Sequence, residues 1–137
     1  MAIILVVEDN PANLKLARFL LESAGHEVIE AADAAEGLAH AESEHVDLVL
    51  MDIQLPGMDG LEATRVLKNK ETTRAVPVIA LTALAMKGDR ERILAAGCDG
   101  YIAKPFNHDD FIALVNYWVH GSFPPPDTRP ANRPMNP

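Results

Sequence analysis

Residues 46–60, VDLVLMDIQLPGMDG, decide how the rest of the chain is read. Leu48 to Met51 are apolar without interruption, and the run stops at a carboxylate, Asp52. An apolar run this short predicts a strand covered on both faces. Pro56, Gly57 and Gly60 keep that strand from continuing. Asp52 is therefore expected at the carboxyl end of a central strand, the edge at which open α/β sheets bind their ligands.

Upstream, Ile3 to Val7 form a second buried strand, followed at once by Glu8 and Asp9. Asn10 and Pro11 read as a helix N-cap and first-turn proline. Leu14, Ala17, Leu21 and Ala24 give that helix its apolar stripe, and Gly25 fits the position just past its end. Glu27 to Ala31 make a weaker strand, suited to an edge. Asp33 and Glu36 have capping-box spacing before a helix carrying Leu38 and Ala41.

Downstream, Asp59 and Glu62 repeat that spacing ahead of a helix with Leu61, Val66 and Leu67. Val76 to Leu81 predict a strand ending in Thr82. A helix over 89–96 follows, stopped by Gly97. Tyr101 to Ala103 form a short strand ending in Lys104-Pro105. Asn107 opens a last helix in which Phe111, Leu114, Val115 and Trp118 share one face. The strand–helix unit occurs five times, which calls for a parallel sheet with helices on both faces.

At 137 residues the chain suits one domain, and 48% hydrophobic residues supply its core. The net charge of −8 argues against phosphate-backbone binding as the main activity. A single cysteine, Cys98, excludes an internal disulfide and fits a reducing, cytosolic setting; it reads as a small buried residue rather than a reactive thiol. No apolar run approaches membrane-spanning length, and the start lacks the pattern of a signal peptide. From Gly121, GSFPPPDTRPANRPMNP has six prolines and no apolar periodicity. A folded domain over 1–120 and a proline-rich disordered tail over 121–137 are expected.

The chemistry concentrates at strand ends: Glu8 and Asp9, Asp52, Thr82, Lys104. In a parallel sheet these ends share one edge, so residues distant in sequence converge. Each alone reads as an ordinary turn, cap or solvated residue. Together they are three carboxylates that repel unless a cation joins them, and so few oxygen ligands with room for water favour Mg²⁺ over Ca²⁺. An ammonium and a hydroxyl beside them are what an incoming phosphoryl group needs. No glycine-rich phosphate loop occurs, which tells against a nucleotide site and leaves a carboxylate to accept the phosphoryl itself.

The stretches VVEDN, DLVLMDIQLPGMDG, VIALTA and GYIAKP, in this order and spacing, strongly resemble the receiver domains of two-component response regulators. The resemblance covers about residues 3 to 119. Within that family, MDIQLPGMDGLEATR and ALAMKGDRERILAAGCDGYIAKP are similar to single-domain cell-division regulators and to receiver modules of hybrid histidine kinases.

The resemblance implies an α/β, doubly wound, flavodoxin-like fold with a five-stranded parallel sheet ordered 2-1-3-4-5. It implies that Asp52 accepts a phosphoryl group from a phosphohistidine on a histidine kinase or phosphotransfer protein. Asp9, Asp52 and the backbone carbonyl of Gln54 would bind Mg²⁺ directly, Glu8 through water, while Thr82 and Lys104 hold phosphoryl oxygens. The Lys104-Pro105 bond is expected to be cis. Thr82 and Tyr101 are the expected switch pair, reshaping the face of the fourth helix, fifth strand and fifth helix for a downstream protein. The first helix, near Asn10 and Leu14, is the expected donor docking surface. Leu84, apolar two residues beyond Thr82, implies slow self-dephosphorylation.

Two other classes compete. An aspartyl-nucleophile phosphohydrolase needs a second acid two residues after its nucleophile, where this chain has Gln54. A pseudo-receiver normally lacks one of the acids, the threonine or the lysine, and this chain lacks none. The expectation is a cytoplasmic protein that catalyses only its own phosphorylation and dephosphorylation, without membrane or nucleic-acid partners. With no output domain after residue 120, signalling is expected through protein–protein contacts, unless the chain is a module of a hybrid kinase. The five histidines are read as loop or helix-surface residues without function.

Overall fold

The computed structural model describes residues 2–83, 87–105 and 107–120. Strands and helices alternate through them: β1 (Ile3–Val7), α1 (Pro11–Ser23), β2 (Glu27–Ala31), α2 (Ala34–Ser43), β3 (Leu48–Asp52), α3 (Gly60–Lys68), β4 (Val78–Thr82), α4 (Lys87–Ala95), β5 (Gly100–Ala103) and α5 (His108–His120). The strands form one parallel sheet ordered β2-β1-β3-β4-β5. This is the doubly wound arrangement expected from the sequence.

Strand residues alternate between two cores. Leu5, Val7, Val49, Met51, Val78 and Ala80 point to the side covered by α2, α3 and α4. Ile4, Val6, Leu48, Leu50, Ile79 and Leu81 point to the side covered by α1 and α5. All five residues of β3 are buried, because the strand has a neighbour on either edge and helices over both faces. The chain order reverses beside β1, so the crevice above β1 and β3 is the place such a sheet keeps for a ligand.

Local chemistry fixes the helix starts. Asn10 Oδ1 accepts from the N–H groups of Ala12 and Asn13, at 2.9 and 3.0 Å. Asp33 and Asp59 each accept from the amide three residues on, at 2.8 Å. Such caps satisfy amides that have no partner inside the helix. Glu36 closes its box one residue further back than the motif requires, accepting from Ala32 N–H at 2.8 Å.

The sequence reading needs four corrections. Ala24 leaves the apolar stripe of α1 and is exposed as its C-cap, while Leu20 takes the buried place. β4 begins at Val78, since the Val76 amide turns back to Thr73 carbonyl and Pro77 has no N–H for the ladder. α4 begins at Lys87, two residues before the expected start. His26 is buried: its Nδ1 accepts from Ala2 N–H at 3.2 Å and its Nε2 lies 3.3 Å from Asn116 Oδ1, a structural tie between β1 and α5. The proline-rich tail over 121–137 and Leu84 lie outside the described residues.

Candidate phosphoacceptor and metal site

The register of the sheet brings the strand ends together. Val7 of β1 pairs with Met51 of β3, so Glu8 and Asp9 emerge beside Asp52. Asp52 pairs with Leu81 and Thr82 with Ala103, which sets Thr82 and Lys104 on the opposite side of Asp52. Lys104 N–H donates to the Thr82 carbonyl at 2.8 Å, fixing where the lysine leaves the sheet. The Lys104-Pro105 peptide is cis, as expected.

Four of the five convergent residues, Glu8, Asp9, Asp52 and Lys104, face one crevice. Glu8, Asp9 and Asp52 each offer a carboxylate oxygen within 4.8 Å of the others. Lys104 Nζ stands 2.9 Å from Glu8 Oε1 and 3.1 Å from Asp52 Oδ2. Only the second contact has hydrogen-bond geometry; the first is ionic, and Glu8 Oε1 accepts no hydrogen bond. Thr82, the fifth, is fully buried at the end of β4. Glu8 and Asp52 are also buried, whereas Asp9 is exposed.

Two backbone amides orient the buried acids. Gln54 N–H donates to Asp52 Oδ1 at 2.9 Å, and Asn10 N–H donates to Glu8 Oε2 at 3.1 Å. The Gln54 side chain itself points to solvent. The role of Asn10 as a second holder of Glu8 had no signal in the sequence beyond its cap, because the donor is a main-chain group.

Charge is unevenly balanced here. Burial pushes the Glu8 carboxyl above its ordinary range, and its contact with Asp52 adds to the rise against the pull of Lys104 and Asn10 N–H. Burial also works to lower the Lys104 ammonium, but Glu8 and Asp52 outweigh it and hold the lysine protonated above its usual range. Three carboxylates against one ammonium leave a surplus of negative charge in a largely buried place. The all-oxygen donor set, with Glu8 Oε1 held by an ionic contact but no hydrogen bond, fits a hard divalent cation such as Mg²⁺.

Tyr101 lies inside the core rather than half out of it, 2% exposed, on the side shared with α3 and α4. Among the described residues no helix is long and apolar enough to cross a membrane.

Residues 4–116 match the family model described as the response regulator receiver domain. A curated relative, the polar-differentiation response regulator DivK of Brucella ovis, is 48% identical over 116 residues, covering 85% of this chain and 94% of its own. The receiver domain of a sensor histidine kinase from Pseudomonas aeruginosa PAO1, solved with a magnesium ion coordinated in its active site cleft, is 43% identical with a TM-score of 0.82, covering 88% of this chain and 98% of its own. The chemotaxis response regulator CheY4 of Vibrio cholerae superposes with a TM-score of 0.82 at 28% identity, covering 87% of this chain and 99% of its own.

Proposed function

The chain belongs to the response regulator receiver domain family, and from that premise we propose that it is a DivK-like phosphorelay protein whose Asp52 accepts a phosphoryl group with Mg²⁺ bound beside it. The observation that carries this reading is the placement of one buried carboxylate, Asp52, between two further acids and a single lysine. The donor is a phosphohistidine on a histidine kinase or phosphotransfer protein. The P–N bond of the donor breaks as a P–O bond to Asp52 forms.

Within the chain, each group has a separate task. Gln54 N–H holds Oδ1, so Oδ2 is the oxygen we assign to attack. Lys104, now on Oδ2, is drawn to the arriving phosphoryl oxygens and frees that lone pair. Thr82 offers a hydroxyl to another phosphoryl oxygen. Glu8, Asp9, Asp52 and the Gln54 carbonyl are the residues that would hold the metal, which when bound neutralises phosphoryl charge in an in-line displacement. Positioning and electrostatics therefore carry the chemistry, and no group turns over a second substrate.

Output is assigned to the face of α4, β5 and α5. Thr82 and Tyr101 occupy adjacent strands, with Tyr101 already inward, so phosphorylation is expected to favour one of two pre-existing arrangements. The response then passes to a protein partner, in the cytoplasm. Identity of 43% to a kinase receiver supports a second reading, in which the same chemistry serves as a module of a hybrid kinase.

A small phosphodonor, supplied with and without Mg²⁺ to the intact protein and to Asp52→Asn, tests the reading. Stoichiometric, Mg²⁺-dependent labelling confined to the protein with Asp52 is expected. Continuous turnover would make the chain a phosphohydrolase, and no labelling would make it a phosphorylation-independent binding module.

A further inference from the structure

Gly60 opens α3, and its Cα rests on the peptide that follows the acceptor. A Cβ at this position would lie 2.1 Å from the Asp52 carbonyl oxygen and 2.7 Å from Ile53 Cα. Both neighbours are main-chain atoms of buried residues, so no side chain can rotate away to make room. Gly37 is also crowded, but its nearest neighbour, at 2.7 Å, is a side-chain methyl of Val7.

The start of α3 is held from both directions. Gly60 N–H donates to the Ile53 carbonyl at 3.3 Å. The Gly60 carbonyl accepts from the buried Thr64 hydroxyl at 2.8 Å, and Thr64 Oγ1 in turn lies 3.7 Å from Cys98 Sγ. Asp59 caps the same turn. Retreat of the helix would break these contacts, so an added methyl group must displace the Asp52–Ile53 peptide instead.

We propose that Gly60 is a positioning residue for phosphoryl transfer. Its missing side chain sets the depth of the Asp52 main chain, and with it the aim of the Asp52 carboxylate and of the Gln54 peptide that bonds it. The inference rests on Asp52 being the phosphoacceptor. Moving the Asp52 carbonyl from 2.1 Å to the 3.0 Å that real Cβ contacts require is a shift of almost one ångström. A displacement of that size at a reacting group costs on the order of 100-fold in rate.

Gly60→Ala is compared with Gly25→Ala, at the far end of the sheet. Gly25 has φ of +91° and nothing within 4 Å of an added Cβ, so its variant carries backbone strain without touching the site. Three quantities are measured at a temperature where circular dichroism shows each protein folded: initial labelling rate by a small phosphodonor, Mg²⁺ affinity, and the backbone amide resonance of Gln54. Gly60→Ala is expected to label roughly 10- to 100-fold more slowly, bind Mg²⁺ more weakly and shift the Gln54 amide. Gly25→Ala should melt earlier and change none of the three.

A folded Gly60→Ala with wild-type labelling and an unmoved Gln54 amide overturns the proposal, as does a Gly25→Ala that reproduces the losses. Should Gly60→Ala not fold, Thr64→Val decides: it removes the hydroxyl on the Gly60 carbonyl, and a smaller loss in the same direction is expected, unchanged values being fatal. If the wild-type protein takes no label at all, the phosphoacceptor reading falls and the role in transfer falls with it, whereas labelled wild type with an unmoved Gln54 amide in Gly60→Ala overturns the positioning role alone.

Discussion

The two ends of the same sheet use polar residues in opposite ways. At the amino ends His26, Asp47 and Asp99 are each tied to the main chain of a neighbouring strand or its flank. His26 receives Ala2 N–H on Nδ1, which makes Nε2 the donor to Asn116. Asp47 accepts from Ile3 N–H at 2.8 Å, and Asp99 accepts from Val78 N–H at 2.8 Å while pairing with Lys68 at 2.9 Å. At the carboxyl ends three acids gather around one lysine, and Glu8 Oε1 is left without a hydrogen bond. A fold keeps uncompensated charge out of water only at a cost. The amino end spends its polar groups on finishing the ladder; the carboxyl end stores negative charge for a cation and an anion that arrive together.

That contrast can be broken most completely at the acceptor. Asp52→Asn should take labelling from stoichiometric to none, read by intact-protein mass after exposure to a phosphodonor. Label that persisted would remove the carboxyl end's special status. Lys104→Ala should slow labelling about 100- to 1000-fold, the usual loss of one electrostatic stabiliser. It should also cost the metal-free fold roughly 3 kcal/mol, because two buried carboxylates lose their only described counter-charge. Denaturant melts with and without Mg²⁺ check this: the ion should return much of the loss.

Asp99→Ala sharpens the comparison from the other end. It strips an acceptor from Val78 N–H and a partner from Lys68, so stability should fall by about 2 kcal/mol. Labelling rate and Mg²⁺ affinity should stay as they were. A site defect in this variant would mean that the two ends are not independent.

The smallest effect is on pH dependence. Glu8 holds its proton more tightly folded than unfolded, so its contribution to stability is whole below the unfolded pKa and fades as pH rises through the folded one. Mg²⁺ reverses this, because it needs the carboxylate. Its affinity should rise several-fold with pH through a range above that of an ordinary carboxyl and then level off, and Glu8→Gln should flatten the curve. Titrations of Mg²⁺ at a series of pH values measure it.

The residues that converge on the site were readable because each follows an unbroken apolar run, and parallel strands end on one edge. β2 could be placed at an edge from its two glutamates. What stayed illegible depends on contacts between distant main chains. His26 looked like a turn residue because the amide that it accepts from belongs to Ala2. Gly60 read only as a strand breaker, since its contact is with a backbone carbonyl eight residues earlier. Val76 fits an apolar run by type, and only the turn back to Thr73 excludes it from β4. Phe19 is 65% exposed on α1, which side-chain type alone would not have suggested.

The acids of the site follow β1 and end β3, all within the first 52 residues, and the lysine that partly offsets them comes just after β5. Synthesis proceeds from the amino terminus. A ribosome therefore delivers the whole anionic half of this centre before any of the cationic half exists. What partial charge balance this centre has is therefore reached only once the chain beyond β5 has been made.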